Sequence, residues 1–328
     1  NRQLYDALLQ RYKEIGVTNG VGSNNVSVVD KARVPLVPSS PNLLQNLVLA
    51  LLAGLGVVAL LIVGLEQLDE TISDLSHLER DLGIAALGTV PLSSTEDVLA
   101  ELRNVKSALV ESYLSLQTSL EFTTSHGFPR SICLTSTRSG EGKSTSSYAL
   151  ALLLSRFKRN VILVDGDMRS PSIHHLIGTE NVRGLSNYLA GVDDLSSLID
   201  TKEGNAMHYM VAGPIPPNAA ELLNGPRMAQ LVENLLQHYD HVIVDAPPVL
   251  GIADALLLSR AVEGVAYVIS SRNSKASAIK LALARLNGVG AHIFGAMITM
   301  IDENRARYGY SYDYSYSYGT AKTATDNG

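Results

Sequence analysis

Lys143 lies in the run Ser136-Thr137-Arg138-Ser139-Gly140-Glu141-Gly142-Lys143-Ser144-Thr145, between the short apolar stretch Ile132-Cys133-Leu134 and the longer one Tyr148-Ala149-Leu150-Ala151-Leu152-Leu153-Leu154. The short stretch predicts a buried strand and the long one a buried helix. Glycines between them let backbone N–H groups turn inward around phosphate oxygens, and the helix N-terminus adds its partial positive charge. The loop predicts a nucleotide-phosphate cradle built from Ser139, Gly140, Glu141, Gly142, Lys143, Ser144 and Thr145. Lys143 would reach the β- and γ-phosphates of ATP, and the Ser144 hydroxyl would ligate Mg2+. Thr137 stands where such loops carry their first glycine, so the turn there must accept a side chain.

Two further segments supply acids. Val161-Ile162-Leu163-Val164 runs into Asp165-Gly166-Asp167-Met168-Arg169, and His241-Val242-Ile243-Val244 runs into Asp245-Ala246-Pro247-Pro248. Ligands of an open parallel sheet bind beyond the carboxyl ends of its strands. Asp165, Asp167 and Asp245 would therefore enter the same crevice as the loop. Magnesium takes one or two carboxylates, several waters and the phosphates themselves. One acid at a strand end is an ordinary cap; three beside such a loop predict a metal–nucleotide site.

The elements that must hold these residues alternate. Strands are predicted to begin near Ser131, Val161, His208, His241, Val265 and Ile293, with helical runs between them. That alternation predicts an α/β fold, a doubly wound and mostly parallel sheet of the P-loop NTPase type. Before it, a helix from about Val98 to Phe122, a short strand over Ile84–Val90 and a charged helix over Asp69–Leu82 are expected. Residues 1–16 show Leu4, Leu8, Tyr12 and Ile15 near helical spacing, and Asn25 to Val34 reads as a strand. Pro35, Pro38 and Pro41 recur every three residues, which aligns them on one face of a polyproline II segment.

Leu43 to Leu65 is apolar apart from Gln45 and Asn46, long enough for the ~20 residues that cross a bilayer. Lys31 and Arg33 precede this span, whereas Glu66, Asp69 and Glu70 follow it. The positive-inside rule thus points one way, but a nucleotide site after the span must face the compartment that holds ATP. The second argument prevails, and residues 66–328 are expected on the ATP side. Asn1 is not an initiator, so a longer protein with an earlier span is expected. The formal net charge of −6 over 328 residues argues against a nucleic-acid partner. The single Cys133 excludes an internal disulfide, and the adjacent His174 and His175 read as loop residues rather than metal ligands.

Regular structure is expected to end near Ile301. Beyond it Tyr308, Tyr310, Tyr312, Tyr314, Tyr316 and Tyr318 alternate with Gly, Ser and Asp. Such partners are poor strand formers, so a flexible tail offering phenols to solvent is the expectation.

Loop, acidic strand ends and tyrosine tail in this order resemble the bacterial tyrosine autokinases of the Wzc-like polysaccharide co-polymerase family. The resemblance covers nearly the whole chain and includes Gly83-Ile84-Ala85-Ala86-Leu87-Gly88-Thr89-Val90-Pro91, Gly184-Leu185-Ser186-Asn187-Tyr188-Leu189-Ala190-Gly191 and Gly213-Pro214-Ile215-Pro216-Pro217-Asn218. It implies residues 1–42 as the end of a periplasmic chain-length region, 43–65 as an inner-membrane helix and 66–97 as a cytoplasmic linker. It further implies 98–301 as a tyrosine kinase domain and 302–328 as the acceptor tail. The implied activity is transfer of the ATP γ-phosphate to tail tyrosines between subunits of a homo-oligomer. The implied partners are the machinery that polymerises and exports capsular or exopolysaccharide, and a cognate tyrosine phosphatase. Asp167 is the implied base, with Asp165 and Asp245 holding magnesium and its waters, although the residue types leave open which acid does which.

Two departures stand out. Family members carry a Glu-x-x-Arg-x-x-Arg signature before the loop strand, where it supports ring-like association; the matching positions here are Glu111, Leu114 and Gln117. Ser139 replaces a usual proline. Two other readings compete. One is a membrane-tethered switch ATPase of the partitioning and septum-site class, whose signature lysine would fall at Arg138. The other is a non-enzymatic chain-length scaffold.

Overall fold

The computed structural model describes residues 2–20, 27, 29–31, 33–34, 36, 40–68, 78–95, 97–201, 207–272 and 274–302. It divides into two units, residues 1–67 and 68–328. In the first, a helix spans Arg2–Gly20, with Leu4, Leu8, Tyr12 and Ile15 exposed. A second helix spans Leu43–Leu68. Its Leu43–Gly64 portion is the one helix among the described residues long and apolar enough to cross a membrane. A helix satisfies its own backbone polar groups, which is what a hydrocarbon environment demands. The strand expected over Asn25–Val34 is corrected: none of its described residues is in a strand. An isolated strand leaves its backbone groups unpaired, and no partner strand lies among the described residues of this unit. Pro35 and Pro38 lie outside the described residues.

The second unit is built on eight described strands: β1 Ala86–Pro91, β2 Ser131–Ser136, β3 Val161–Asp165, β4 Asp200–Thr201, β5 Met207–Met210, β6 His241–Asp245, β7 Gly264–Ser270 and β8 Ile293–Ile301. They form one sheet in the order β1-β8-β7-β2-β6-β3-β5-β4. All pairs are parallel except β4 with β5. The residues assigned from sequence to a linker thus contribute β1, which pairs with β8.

Every residue of β2, β3, β6 and β7 is buried, as a parallel sheet covered on both faces requires. Side chains alternate between the faces. Cys133, Ile162, Val164, Val242 and Val244 pack into one core with Leu231, Leu258 and Leu286. Ile132, Leu134, Leu163 and Ile243 pack into the other with Tyr113, Leu116, Leu150 and Leu153. Each fully buried aliphatic side chain contributes about 1.5–3 kcal/mol relative to exposure.

The single helix expected from Val98 to Phe122 is two, Val98–Arg103 and Ala108–Glu121. The break is local chemistry. Asn104 Oδ1 accepts from the Lys106 N–H at 3.1 Å, and Ser107 Oγ caps the second helix by accepting from the Val110 N–H at 3.2 Å. Short polar side chains bonded to the backbone in this way compete with helix continuation. Of the charged helix expected over Asp69–Leu82, residues 69–77 lie outside the described residues and Leu78–Leu82 forms one π-helical turn.

Candidate nucleotide site

β2 ends at Ser136 and the helix Lys143–Arg156 begins seven residues later, so the loop bridges a parallel strand and a helix N-terminus. Gly140 and Gly142 sit at φ 82° and 88°. This left-handed region penalises side chains, which is why the cradle needs glycine at both places. Ser139 and Gly140 are exposed at the rim, Ser144 and Thr145 half-buried, and Lys143 buried. Thr137, at the missing-glycine position, is buried with its hydroxyl 2.9 Å from the Tyr267 hydroxyl. The turn accommodates it through that bond.

The three acids converge as expected. Lys143 Nζ lies 3.2 Å from Asp167 Oδ2, 3.9 Å from Asp245 Oδ2 and 3.3 Å from Ser144 Oγ. Burial by itself would lower the Lys143 pKa, but attraction to Asp245, Asp167 and Asp165 outweighs it and leaves the value raised. Asp245 Oδ1 accepts from Ser147 Oγ at 3.0 Å, while its buried Oδ2 has no hydrogen-bond partner. Burial pushes the Asp245 carboxyl upward and Lys143 opposes that.

Asp165 is spent differently. Its Oδ1 accepts from the Asp167 N–H at 3.1 Å, and its Oδ2 from the N–H groups of Ser172 and Ile173 at 3.2 and 3.1 Å. Those bonds start the short helix Ile173–Ile177. His174 and His175, expected in a loop, are therefore helical; the carboxylate cap that makes them so comes from a strand end and has no local signature. Burial, then the nearby Asp245, raises the Asp165 pKa to about 7. Asp167 Oδ1 is held by the Ser170 N–H at 3.0 Å, leaving Oδ2 to Lys143.

This donor set fits magnesium. Carboxylates and a hydroxyl are hard oxygen donors, and Asp245 Oδ2 is a buried oxygen with no hydrogen-bond partner, facing the Lys143 ammonium at 3.9 Å. Among the described residues no three His, Cys, Asp or Glu side chains form a ready-made metal cage.

Sequence reasoning missed several residues here. Ser147 holds Asp245 from the loop helix. Ser274 and Thr299, from beyond β7 and from β8, bond Glu141. None stands in a motif, and only the sheet order brings them to the loop. Arg169, after the acidic pair, forms a two-pronged ion pair with buried Asp254 at 2.7 and 3.1 Å. The Gly184 and Gly213 motifs are structural. Asn181 clamps Gly213 through both its amide atoms at 2.7 Å, and a side chain on Gly184 would collide with the Val211 carbonyl. Glu111 is exposed, Leu114 packs partly against a core, and Gln117 is buried with Nε2 3.2 Å from Glu121 Oε1. The six tail tyrosines lie outside the described residues.

Residues 128–301 match the family described as ParA: NUBPL iron-transfer P-loop NTPase, and residues 1–65 match a G-rich domain, GNVR. The kinase domain of Escherichia coli tyrosine kinase ETK is 31% identical, with a TM-score of 0.67, covering 74% of this chain and 99% of that one. The chain belongs to the bacterial tyrosine-kinase family of P-loop NTPases. Tyrosine-protein kinase etk of Escherichia coli (strain K12) is 30% identical over 319 residues, 90% of this chain and 44% of the relative. Tyrosine-protein kinase ptk of Acinetobacter johnsonii is 29% identical over 320 residues, 94% of this chain and 44% of the relative. The chain thus spans less than half the length of these curated relatives.

Proposed function

We propose that this chain is a membrane-anchored protein-tyrosine autokinase that moves the ATP γ-phosphoryl group to Tyr308, Tyr310, Tyr312, Tyr314, Tyr316 and Tyr318. The observation that carries the reading is Lys143 Nζ poised between Asp167 Oδ2 and Asp245 Oδ2 at the loop helix's N-terminus. The chain's resemblance to the tyrosine-protein kinases of Escherichia coli and Acinetobacter johnsonii supports it.

Phosphoryl transfer is mostly positioning and charge stabilisation. The backbone N–H groups of Gly140 to Thr145 and the Lys143 ammonium would hold the phosphates. Ser144 and Asp245, with Asp165 behind them, would hold Mg2+, which when bound would supply further neutralisation of charge on the transferring group. As phosphates draw Lys143 toward themselves, Asp167 Oδ2 loses its partner while Oδ1 stays fixed by the Ser170 N–H. Asp167 then accepts the acceptor tyrosine's proton as its oxygen bonds the γ-phosphorus and ADP leaves. A phenol of pKa ~10 needs such a base within reach.

The same reading divides the chain into periplasmic residues 1–42, a span over 43–65, a linker over 66–97, a kinase domain over 98–301 and an acceptor tail over 302–328. It places residues 66–328 in the cytoplasm at the inner membrane, in a homo-oligomer serving polysaccharide polymerisation and export, with a cognate phosphatase. Purified chain incubated with ATP and magnesium is expected to gain phosphotyrosine, and Lys143→Met to gain none. Release of ADP and phosphate without phosphotyrosine would move the reading to the switch-ATPase class.

A further inference from the structure

Glu141 sits inside the phosphate loop, yet its carboxylate faces away from the crevice and is buried, 2% exposed. A buried carboxylate is costly unless its oxygens are bonded. Glu141 Oε2 accepts from the Arg138 N–H at 2.9 Å, which closes the loop on itself. Its Oε1 accepts from Ser274 Oγ at 2.6 Å, and Ser274 Oγ in turn accepts from the Ser270 N–H at the end of β7. Thr299 Oγ1, on β8, donates to the Glu141 carbonyl at 2.7 Å and lies 3.2 Å from the Ile269 carbonyl. The Thr299 side chain also backs Gly142, where an added Cβ would meet it at 3.4 Å. Glu141, Ser274 and Thr299 are all buried.

We infer that Ser274 and Thr299 are positioning residues for nucleotide: acting through Glu141, they hold the phosphate loop in its cradle geometry and key it to the strand from which the tyrosine tail departs. The inference rests on the nucleotide-site reading. Its physical basis is that two glycines at positive φ make the loop soft, so its shape before nucleotide arrives must be imposed from outside. Bonds from Ser274 beyond β7 and from Thr299 on β8 impose it at two points, the Glu141 carboxylate and the Glu141 carbonyl, and the carboxylate passes it on to the Arg138 N–H. β8 ends at Ile301, two residues past Thr299, so a pull on the tail root reaches the loop through one hydroxyl.

The test uses the full chain with Thr299→Val, Thr299→Ser and Ser274→Ala. A fluorescent non-hydrolysable ATP analogue with magnesium reports affinity, and hydrogen exchange of the loop amides is followed without nucleotide. Loss of one buried hydrogen bond of about 1 kcal/mol predicts roughly five- to tenfold weaker binding for Thr299→Val and Ser274→Ala. Exchange at the Arg138 to Gly142 amides should quicken in both, and Thr299→Ser should restore both readouts. Wild-type affinity in Thr299→Val and Ser274→Ala overturns the inference, as does a Thr299→Ser variant no better than Thr299→Val. A lowered melting temperature with unchanged loop exchange and affinity would reduce both hydroxyls to tying strand ends together. If the wild-type chain binds analogue but makes no phosphotyrosine, the kinase reading fails and the positioning role stands. If it binds no analogue, both fail.

Discussion

Lys143 neutralises two buried acids as well as facing the phosphate position. Its ammonium is the cation nearest Asp167 and Asp245 in the crevice, so Lys143→Met strips a buried charge pair of its partner, a loss of about 3 kcal/mol by precedent. A lower melting temperature should therefore accompany its loss of activity, and phosphotyrosine must be assayed below that temperature. The acids separate by role. Asp245 has an oxygen without a hydrogen-bond partner, whereas Asp167 Oδ2 is occupied by Lys143. Calorimetric titration with a non-hydrolysable nucleotide should show Asp245→Asn losing magnesium-dependent affinity by about tenfold or more, the scale of one lost charge-assisted bond. Asp167→Asn should bind near the wild-type level and lose phosphoryl transfer. Equal loss of binding in both variants would remove the case for Asp167 as a distinct base.

At the scale of elements, β6 begins at His241, whose Nδ1 lies 3.0 Å from the Pro129 carbonyl. A carbonyl only accepts, so Nδ1 carries the proton of this bond. The ring stands edge-on to Phe128 at 5.1 Å. Burial lowers the His241 pKa, against the opposing hydrogen bond to Pro129. In the unfolded chain a histidine titrates near ~6.5, so below that pH the unfolded state binds the proton more readily. Its contribution to stability is complete above ~6.5 and is lost as pH falls through the lower folded value. The raised Asp165 and Asp245 act in the opposite sense, favouring the folded state as pH falls. The His241 contribution therefore shows only as the difference between the variant and wild type. Thermal melts between pH 7.5 and 5 should fall less steeply for His241→Gln than for wild type, and parallel curves would sink the assignment. Local chemistry also explains what periodicity concealed in other elements. The apolar spacing from Val98 to Phe122 continues across Asn104 and Ser107, and their side-chain bonds to backbone divide the helix there.

At the scale of the molecule, the parallel sheet delivers the end of β8 to the same edge as the loop and acids. Neighbouring strands lie ~4.8 Å apart, so the three steps from β8 to β6 in the sheet order amount to about 14 Å. A chain extends at most ~3.3–3.6 Å per residue, giving about 20 Å from Asp302 to Tyr308 and about 55 Å to Tyr318. Proximal tyrosines can reach their own site and distal ones a neighbour's. Replacing all six tail tyrosines with phenylalanine should abolish most phosphotyrosine and leave nucleotide affinity unchanged. Mixing that variant with Lys143→Met tests the route, because only transfer between chains can label the Lys143→Met tail. An unlabelled partner would exclude transfer between subunits. Leu114 and Gln117, where relatives are expected to carry arginines, sit partly or fully buried on the helix Ala108–Glu121. Each added phosphate brings about −1.5 to −2 charges, so if unlabelled tails dock into a neighbour's acidic crevice and hold subunits together, labelling should shrink the assembly seen by light scattering.

Short-range chemistry is legible in neighbouring residues before any fold is known. The loop from Ser139 to Thr145, the acids closing β3 and β6 and the apolar helix from Leu43 all fall in this class. Strand–helix alternation likewise carried the doubly wound sheet, because a strand buried on both faces must be apolar throughout. Only the tertiary structure decided which side chains from distant segments meet. Asp165 spends both oxygens on backbone N–H groups and starts the helix Ile173–Ile177, while Asp245 leaves one oxygen without a hydrogen-bond partner, facing the Lys143 ammonium. Sequence shows two equivalent strand-end acids, and their different uses arise from the turn that follows each strand. Ser274 and Thr299 lie more than a hundred residues beyond Glu141 and have no motif of their own. They reach it because β7 lies beside β2 and β8 beside β7 in the sheet, and strand order is set by how whole faces pack, which no local pattern records.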